Sequence, residues 1–177
     1  LSGTLAIVEN SPLVKRVPVP RETIPVAVVL SNGVHLLIQI ALLLGFTLAY
    51  GLRPTVAWLW LPPVWLLYVI FLCGLALGSS AINVYVRDTR YLVESFNMVL
   101  FYLVPIFYSF SIIPPRYAAV YQFNPVAAMV LAMRNILMDG HAPPQSLIFN
   151  LVIVATVTLG LGLLIFRSLQ RRFYEHL

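Results

Sequence analysis

Charged side chains are scarce in this sequence. Asp, Glu, Lys and Arg make up 10% of its 177 residues, whereas 60% of the residues are hydrophobic. Soluble domains contain about 25% charged residues, and a chain this short has too little interior to hide so much apolar surface from water. The composition therefore excludes a soluble globular protein and predicts an all-α integral membrane protein.

The chain is also poor in residues that build redox, metal and nucleotide sites. Its single cysteine, Cys73, excludes an intrachain disulfide, and its three histidines lack the spacing of metal ligands. It has no Walker A motif, the phosphate-binding loop of many ATPases. We therefore expect no metal, no cofactor and no catalytic residue in this chain. It does not begin with Met and has no signal peptide, so we expect it to be a piece of a longer protein.

Long uncharged runs predict four membrane-spanning helices, because about 20 apolar residues in a helix cross the hydrocarbon core. Within a single transmembrane domain covering residues 1–177, the predicted spans are residues 24–50, 57–84, 96–113 and 146–166. The outer segment 114–145 contains apolar residues at helical spacing in a stretch too short to cross. We predict two short re-entrant helices there, with a helix lying on the lipid surface as the alternative.

The basic residues predict the orientation of the chain. Four spans place both ends on one side, and eight basic residues lie on that side: Lys15, Arg16, Arg21, Arg87, Arg90, Arg167, Arg171 and Arg172. The other side has three, Arg53, Arg116 and Arg134. Because Lys and Arg are enriched in cytoplasmic loops, both ends and the Arg87 loop are predicted to be cytoplasmic. The formal net charge of +5 thus indicates membrane anchoring rather than nucleic-acid binding.

Several residues within the spans are candidates for a transport path. Asn32, His35 and Gln39 share one face of the first span, either to form hydrogen bonds between helices or to face a hydrophilic path. The third span and the residues after it are rich in aromatic rings, which are either core or the lining of a conduit. Such rings suit the apolar faces of sugars. Candidates for this aromatic lining are Tyr102, Tyr108 and Phe110.

Small residues in the second span predict close helix packing. Gly74 and Gly78 are four residues apart and therefore lie on one face of the helix. Without side chains at these positions, the backbone of a neighbouring helix can approach closely.

Two charged segments lie on the predicted cytoplasmic side. Residues 9–23 contain prolines, which oppose a helix interior, and basic residues, which avoid lipid, so this segment is predicted to be an exposed connector. Arg87, Asp88, Arg90 and Glu94 follow the second span, and the spacing of Arg90 and Glu94 predicts a helical ion pair. From the residues alone, residues 9–23 are either an anchor or a surface for a partner, and the Arg87 motif is a solvated anchor.

Four stretches together resemble a known family, the type 2 ABC exporter permeases, and especially their polysaccharide-export branch. These stretches are Glu9 to Glu22, Asn83 to Asp88, Tyr108 to Pro114 with Asn124-Pro125, and Arg134 with the tail Phe166 to Tyr174. The resemblance implies a six-span domain, of which this chain contains the third to sixth spans and the outer re-entrant pair. It also implies a coupling helix within residues 9–23 that docks on a separate ATPase subunit. The residues to which this implies a coupling role are Leu13, Lys15, Arg16, Pro18, Pro20, Arg21 and Glu22.

The function that the resemblance implies is ATP-driven export of a lipid-linked polysaccharide, of O-antigen, capsule or teichoic-acid type, across the bacterial inner membrane. The implied partners are an ATPase subunit that holds ATP and Mg, a second copy of the permease, the lipid-linked glycan and membrane lipids. A drug or lipid exporter permease is the alternative within the superfamily. A membrane-embedded glycosyl- or acyltransferase is an alternative of another class, but such an enzyme needs converging ionisable groups. The candidates for such groups are Arg87, Asp88, Arg90 and Glu94.

Overall fold

A computed structural model describes residues 1–16, 20–51, 54–104 and 124–173, and the regular structure of these residues is helical. The predicted all-α fold class is therefore confirmed. Short 3-10 turns at Val56–Trp60 and Gln170–Arg172 adjoin two of the α-helices. The α-helices are α1 (Ser2–Glu9), α2 (Ser11–Arg16), α3 (Thr23–Ala49), α4 (Leu61–Tyr85), α5 (Thr89–Leu103), α6 (Pro125–Leu137) and α7 (Gln145–Leu169).

Within the described residues, three helical segments are long and apolar enough to cross a membrane, which makes the chain a multi-pass membrane protein. They are Thr23–Ala49, Val56–Tyr85 and Gln145–Leu169, at the positions of the first, second and fourth predicted spans. A helix of this length satisfies its backbone hydrogen bonds internally, as the hydrocarbon core requires.

The remaining predicted span, 96–113, lies only partly within the described residues. Its first residues belong to α5, which begins earlier, at Thr89. Residues 105–123 are outside the described part of the chain, and so is the first of the two predicted re-entrant helices. The third span therefore stays a prediction.

The helix α4 is the most buried of the three long helices. In its most apolar stretch 44% of the residues are buried, against 11% in α3 and 17% in α7. Large apolar side chains such as Leu42 and Phe46 of α3 and Leu164 of α7 are exposed. In a membrane such apolar surfaces contact lipid or other protein segments instead of water, so their exposure in the single chain is not unfavourable.

The chain divides into two compact units. Unit 1 contains Leu1–Gly33, Val69–Met98 and Thr156–Leu177, and unit 2 contains Val34–Tyr68 and Val99–Ala155. In unit 1, α1 packs against α4, because the Thr4 and Ser79 hydroxyl oxygens are hydrogen-bonded at 3.0 Å. Unit 1 therefore joins α1 to the second half of α4.

Within unit 1, α4 and α7 cross at very close range. A Cβ atom added to Gly74 would lie 2.5 Å from backbone atoms of Thr158 and Leu159, and one added to Gly162 would overlap the carbonyl oxygen of Gly74. Glycine at both positions lets the two backbones touch. The predicted packing role of Gly74 is confirmed, and the surface it packs against is the Thr158–Gly162 stretch of α7. Gly78 faces the same stretch, since its added Cβ would lie 3.6 Å from the Gly162 Cα.

Unit 2 is built around α6. This helix is capped by Asn124, whose side-chain oxygen accepts hydrogen bonds from the N–H groups of Val126 at 3.1 Å and Ala127 at 3.4 Å. Such a cap, followed by proline at the first helical position, is a strong start signal. After α6, Gly140 adopts a positive φ of 67°, which favours glycine and lets the chain turn away.

The apolar face of α6 is covered by protein. Ala132 and Ile136 are fully buried in a core that also contains Val64 and Leu151. A helix lying on lipid would instead leave this face open to the acyl chains. This face of α6 therefore packs on protein, and the re-entrant position of the helix stays a prediction.

Candidate functional site

The predicted coupling segment is partly docked on the rest of unit 1. Val14 of α2 is only 4% exposed and belongs to the same buried cluster as Ile7 and Phe166, whereas Leu13 is 46% exposed. The prediction of an exposed connector is therefore wrong for Val14. The physical reason is the helical period, which turns neighbouring residues of α2 to different sides, so that one side packs while the other stays open.

The other predicted coupling residues divide between described and undescribed parts of the chain. Lys15 and Arg16 lie in α2, and Pro20 is exposed. Pro18 lies outside the described residues. Arg21 and Glu22 lie immediately before α3, where the Thr23 hydroxyl donates to the carbonyl oxygen of Pro20 at 2.6 Å.

Arg21 and Glu22 both contact the C-terminal end of α7. The Arg21 Nη1 group donates to the carbonyl oxygen of Gln170 at 2.6 Å, and the Arg167 Nε group donates to Glu22 Oε1 at 3.1 Å. The Gln170 carbonyl oxygen lies in the 3-10 turn that follows α7 and also accepts from the N–H group of Phe173. Arg21 therefore adds a second hydrogen bond to this carbonyl group.

The same end of α7 is also held by aromatic side chains. The Tyr85 hydroxyl donates to the carbonyl oxygen of Leu169 at 2.7 Å. Phe173 is fully buried, with its ring 5.5 Å from that of Phe166 in an edge-to-face arrangement and 6.3 Å from that of Tyr85. We call this set the tail clamp and define it as Arg21, Glu22, Tyr85, Arg167, Phe173 and the carbonyl groups of Leu169 and Gln170.

The parts of the tail clamp contribute differently to stability. The Arg167 side chain is 65% exposed and that of Glu22 is 28% exposed, and ion pairs in such solvent-accessible positions contribute about 0–1 kcal/mol. Burial of a phenylalanine side chain contributes about 1.5–3 kcal/mol. Burial of Phe173 therefore contributes most of the stability of the tail clamp, whereas the polar contacts determine which groups face each other.

The tail clamp was not predicted from the sequence. Glu22 and Arg167 are 145 residues apart, and no periodic pattern connects residues that distant. The available signal was weak: both residues adjoin a span on the predicted cytoplasmic side.

The charged motif after α4 forms an exposed turn. Arg87, Asp88, Arg90 and Glu94 are all exposed, and α5 begins within the motif at Thr89. The predicted ion pair is wrong, since within residues 54–104 no salt bridge joins Arg90 to Glu94. The Arg90 guanidinium instead lies 4.4 Å from the centroid of the Tyr91 ring and donates to the Tyr91 hydroxyl. A cation–π contact with a neighbouring ring can take the place of the ion pair, because an exposed ion pair contributes very little to stability.

The candidate lining residues are exposed where they are described. Asn32, His35 and Gln39 are exposed on α3, and the Asn32 amide donates to Ser2 Oγ and to the carbonyl oxygen of Val28, both at 2.9 Å. Tyr102 is 70% exposed on α5. Tyr108 and Phe110 lie outside the described residues. A role of these residues in a conduit stays a prediction.

Comparison with known proteins gives similarity along almost the whole chain. A family profile described as "ABC-2 type transporter" matches residues 13–138. Two proteins from Klebsiella pneumoniae, both named O-antigen export system permease protein RfbA, are 33% and 32% identical over 175 and 177 residues. A protein of the same name from Myxococcus xanthus is 27% identical over 175 residues. Each similarity covers 98% of this chain and 67% of the relative.

Proposed function

Because this chain belongs to the ABC-2 type transporter family, we propose that it is the permease subunit of an exporter that moves a lipid-linked, O-antigen-type glycan across the bacterial inner membrane. The observation that carries this proposal is the similarity of 98% of the chain to permeases named for O-antigen export. Those names favour a glycan over a drug or lipid as cargo. Membership of a transporter family also disfavours the glycosyl- or acyltransferase alternative.

In this proposal the energy comes from a separate ATPase subunit, which binds ATP and Mg and docks on α2. Leu13 is the side chain that supports this role, because it is a half-exposed leucine on a short helix that Val14 fixes in place. An exposed apolar side chain on a rigid support loses little conformational freedom when a partner covers it, so more of its burial energy is kept as affinity. Arg21 and Glu22 are used within the chain, by α7. The contact with the ATPase is therefore assigned first to Leu13 and its neighbours in α2.

The proposed path for the glycan lies between this chain and a second copy of the permease. Its candidate lining is the polar face of α3, with Asn32, His35 and Gln39, and the aromatic surface of α5, with Tyr102. These side chains are exposed in the single chain. Amide and imidazole groups can exchange hydrogen bonds with sugar hydroxyls, and aromatic rings can pack on sugar C–H faces.

The proposed function is tested by purifying the full-length, tagged permease from its own host and identifying the bound proteins. We expect a subunit with a Walker A motif in stoichiometric amount. Deletion of the permease gene should remove the long glycan from the cell surface and leave its lipid-linked form on the cytoplasmic leaflet. An unchanged surface glycan together with no bound ATPase would contradict the proposal.

We also propose that the ends of the chain are cytoplasmic. The eight basic residues predicted on that side all fall within the residue ranges of unit 1, whereas Arg134 falls in unit 2. In a Cys73→Ser background, Arg87→Cys and Arg171→Cys should resist a membrane-impermeant maleimide in intact cells, while His141→Cys should react. Permeabilised cells provide the control, since all three positions are exposed and should then react. Labelling of position 87 from outside would reverse the topology.

A further inference from the structure

The coupling segment contacts the C-terminal part of the chain in two places, one near each of its ends. Upstream, Val14 is buried in the cluster that contains Phe166 and Phe173. Downstream, Arg21 and Glu22 contact the end of α7. A displacement of the segment therefore acts on α7 from two directions.

The downstream attachment has two points rather than one. Arg167 and Gln170 are three residues apart, so the two contacts lie within one turn of each other along the chain at the end of α7. Arg21 holds the Gln170 carbonyl group, and Glu22 holds the Arg167 side chain. A single contact would be a pivot about which α7 could turn. Two adjacent contacts transmit rotation as well as translation.

The tail clamp also joins this end of α7 to the end of α4. The Tyr85 hydroxyl group bonds the Leu169 carbonyl group, and the Phe173 ring packs against the Tyr85 ring. The last turn of α7 is thus fixed to two elements at once, the coupling segment and α4. Closely packed helices of this kind move as units instead of deforming continuously.

We propose that the tail clamp transmits the movement of the coupling segment to α7, with Glu22 and Arg167 as positioning residues for transport. This inference rests on the proposed function, because it requires an ATPase that moves the segment. The exposed Glu22–Arg167 pair adds little to folding stability, so its loss should leave a folded, assembled complex. Loss of the Glu22–Arg167 pair should instead uncouple ATP hydrolysis from the movement of α7.

The experiment uses the full-length permease with its ATPase subunit in vesicles loaded with the lipid-linked glycan. The variants are Glu22→Arg, Arg167→Glu and the double variant that exchanges the two charges. The matched control for Arg167→Glu is Arg171→Glu, which makes the same charge change at an exposed tail residue that forms no ion pair with another described residue. For each protein we measure ATPase subunit retained, ATP hydrolysed and glycan exported.

We expect each single reversal to leave ATPase retention and hydrolysis unchanged while export per ATP falls about fivefold or more, the usual range for coupling between two sites. The charge exchange should restore export, and Arg171→Glu should match the wild type. Glu22→Gln, whose amide oxygen can still accept from Arg167, should lie between wild type and Glu22→Arg.

Three results would overturn the inference. In the first, the single reversals match Arg171→Glu. In the second, export falls only in proportion to bound ATPase or to folded protein, which indicates a structural role. In the third, the charge exchange fails to restore export. The proposed function fails separately, if the wild-type complex itself exports no glycan.

Discussion

Replacing Gly162 with alanine is expected to destabilise the folded protein, because the new Cβ atom would overlap the carbonyl oxygen of Gly74. That oxygen belongs to the backbone of α4 and cannot rotate away, so the two helices must separate. Overpacking of this kind costs about 1–3 kcal/mol, which corresponds to a decrease in the midpoint of thermal unfolding of roughly 3–10 °C. The measurement is the temperature at which half of the detergent-purified, full-length protein loses its monodisperse peak.

Gly160→Ala is the matched control for this prediction. It makes the same chemical change in the same helix, but an added Cβ atom at Gly160 would lie more than 4 Å from every described residue outside its own stretch of α7. Alanine is a better helix former than glycine, so this variant should be equal to the wild type or slightly more stable. Equal unfolding temperatures for Gly162→Ala and Gly160→Ala would show that the crossing of α4 and α7 is not as close as described.

Leu13→Asp is expected to release the ATPase subunit from the permease. If the exposed half of Leu13 is buried at the interface, the variant loses about half of the roughly 1.5–3 kcal/mol that full burial of a leucine provides, and it also places a carboxylate among apolar groups, which costs at least about as much again. Since about 1.4 kcal/mol corresponds to a factor of ten, affinity should fall at least tenfold. The readout is the amount of ATPase subunit that stays on the tagged full-length permease at a fixed wash volume.

Unfolding of α2 would not explain such a loss. Residue 13 lies in the first turn of α2, where an acidic side chain is favoured by the helix dipole, and Val14 still anchors the helix. Leu13→Met, which keeps an apolar side chain of similar size, should retain the ATPase. If Leu13→Asp held the subunit as firmly as the wild type and Leu13→Met, α2 would not be the docking surface.

Hydropathy indicated the long helices well because a helix within lipid needs no long-range partner. Its backbone hydrogen bonds are internal, so length and apolar composition suffice to identify α3, α4 and α7. The start of α6 at Asn124 and Pro125 is likewise a local feature of the sequence, since a cap acts within one turn. The family was recognisable from short motifs spread along the chain, and the comparisons confirm it.

The candidate site was less predictable than the helices that carry it. Residues 9–23 could be assigned to the coupling role through the family resemblance, but their pattern did not show that Val14 is buried and Leu13 exposed. Nor did it show that Arg21 and Glu22 bind the end of α7. The prediction of an Arg90–Glu94 ion pair was wrong. Helical spacing shows only that the two side chains are able to meet, and in the structure Arg90 contacts the neighbouring Tyr91 ring instead.

The sequence by itself thus determined the properties that depend on local composition: a helical membrane protein, the bounds of its long helices and its family. The tertiary structure decided which sides of those helices meet. It paired Gly162 with Gly74, joined Glu22 to Arg167 across 145 residues and turned Val14 inward. The physical reason is that α3, α4 and α7 are apolar on nearly every side, so hydropathy marks no single packing face. Their rotation and register are set by backbone approach and by a few polar contacts, which appear only when the helices are packed together.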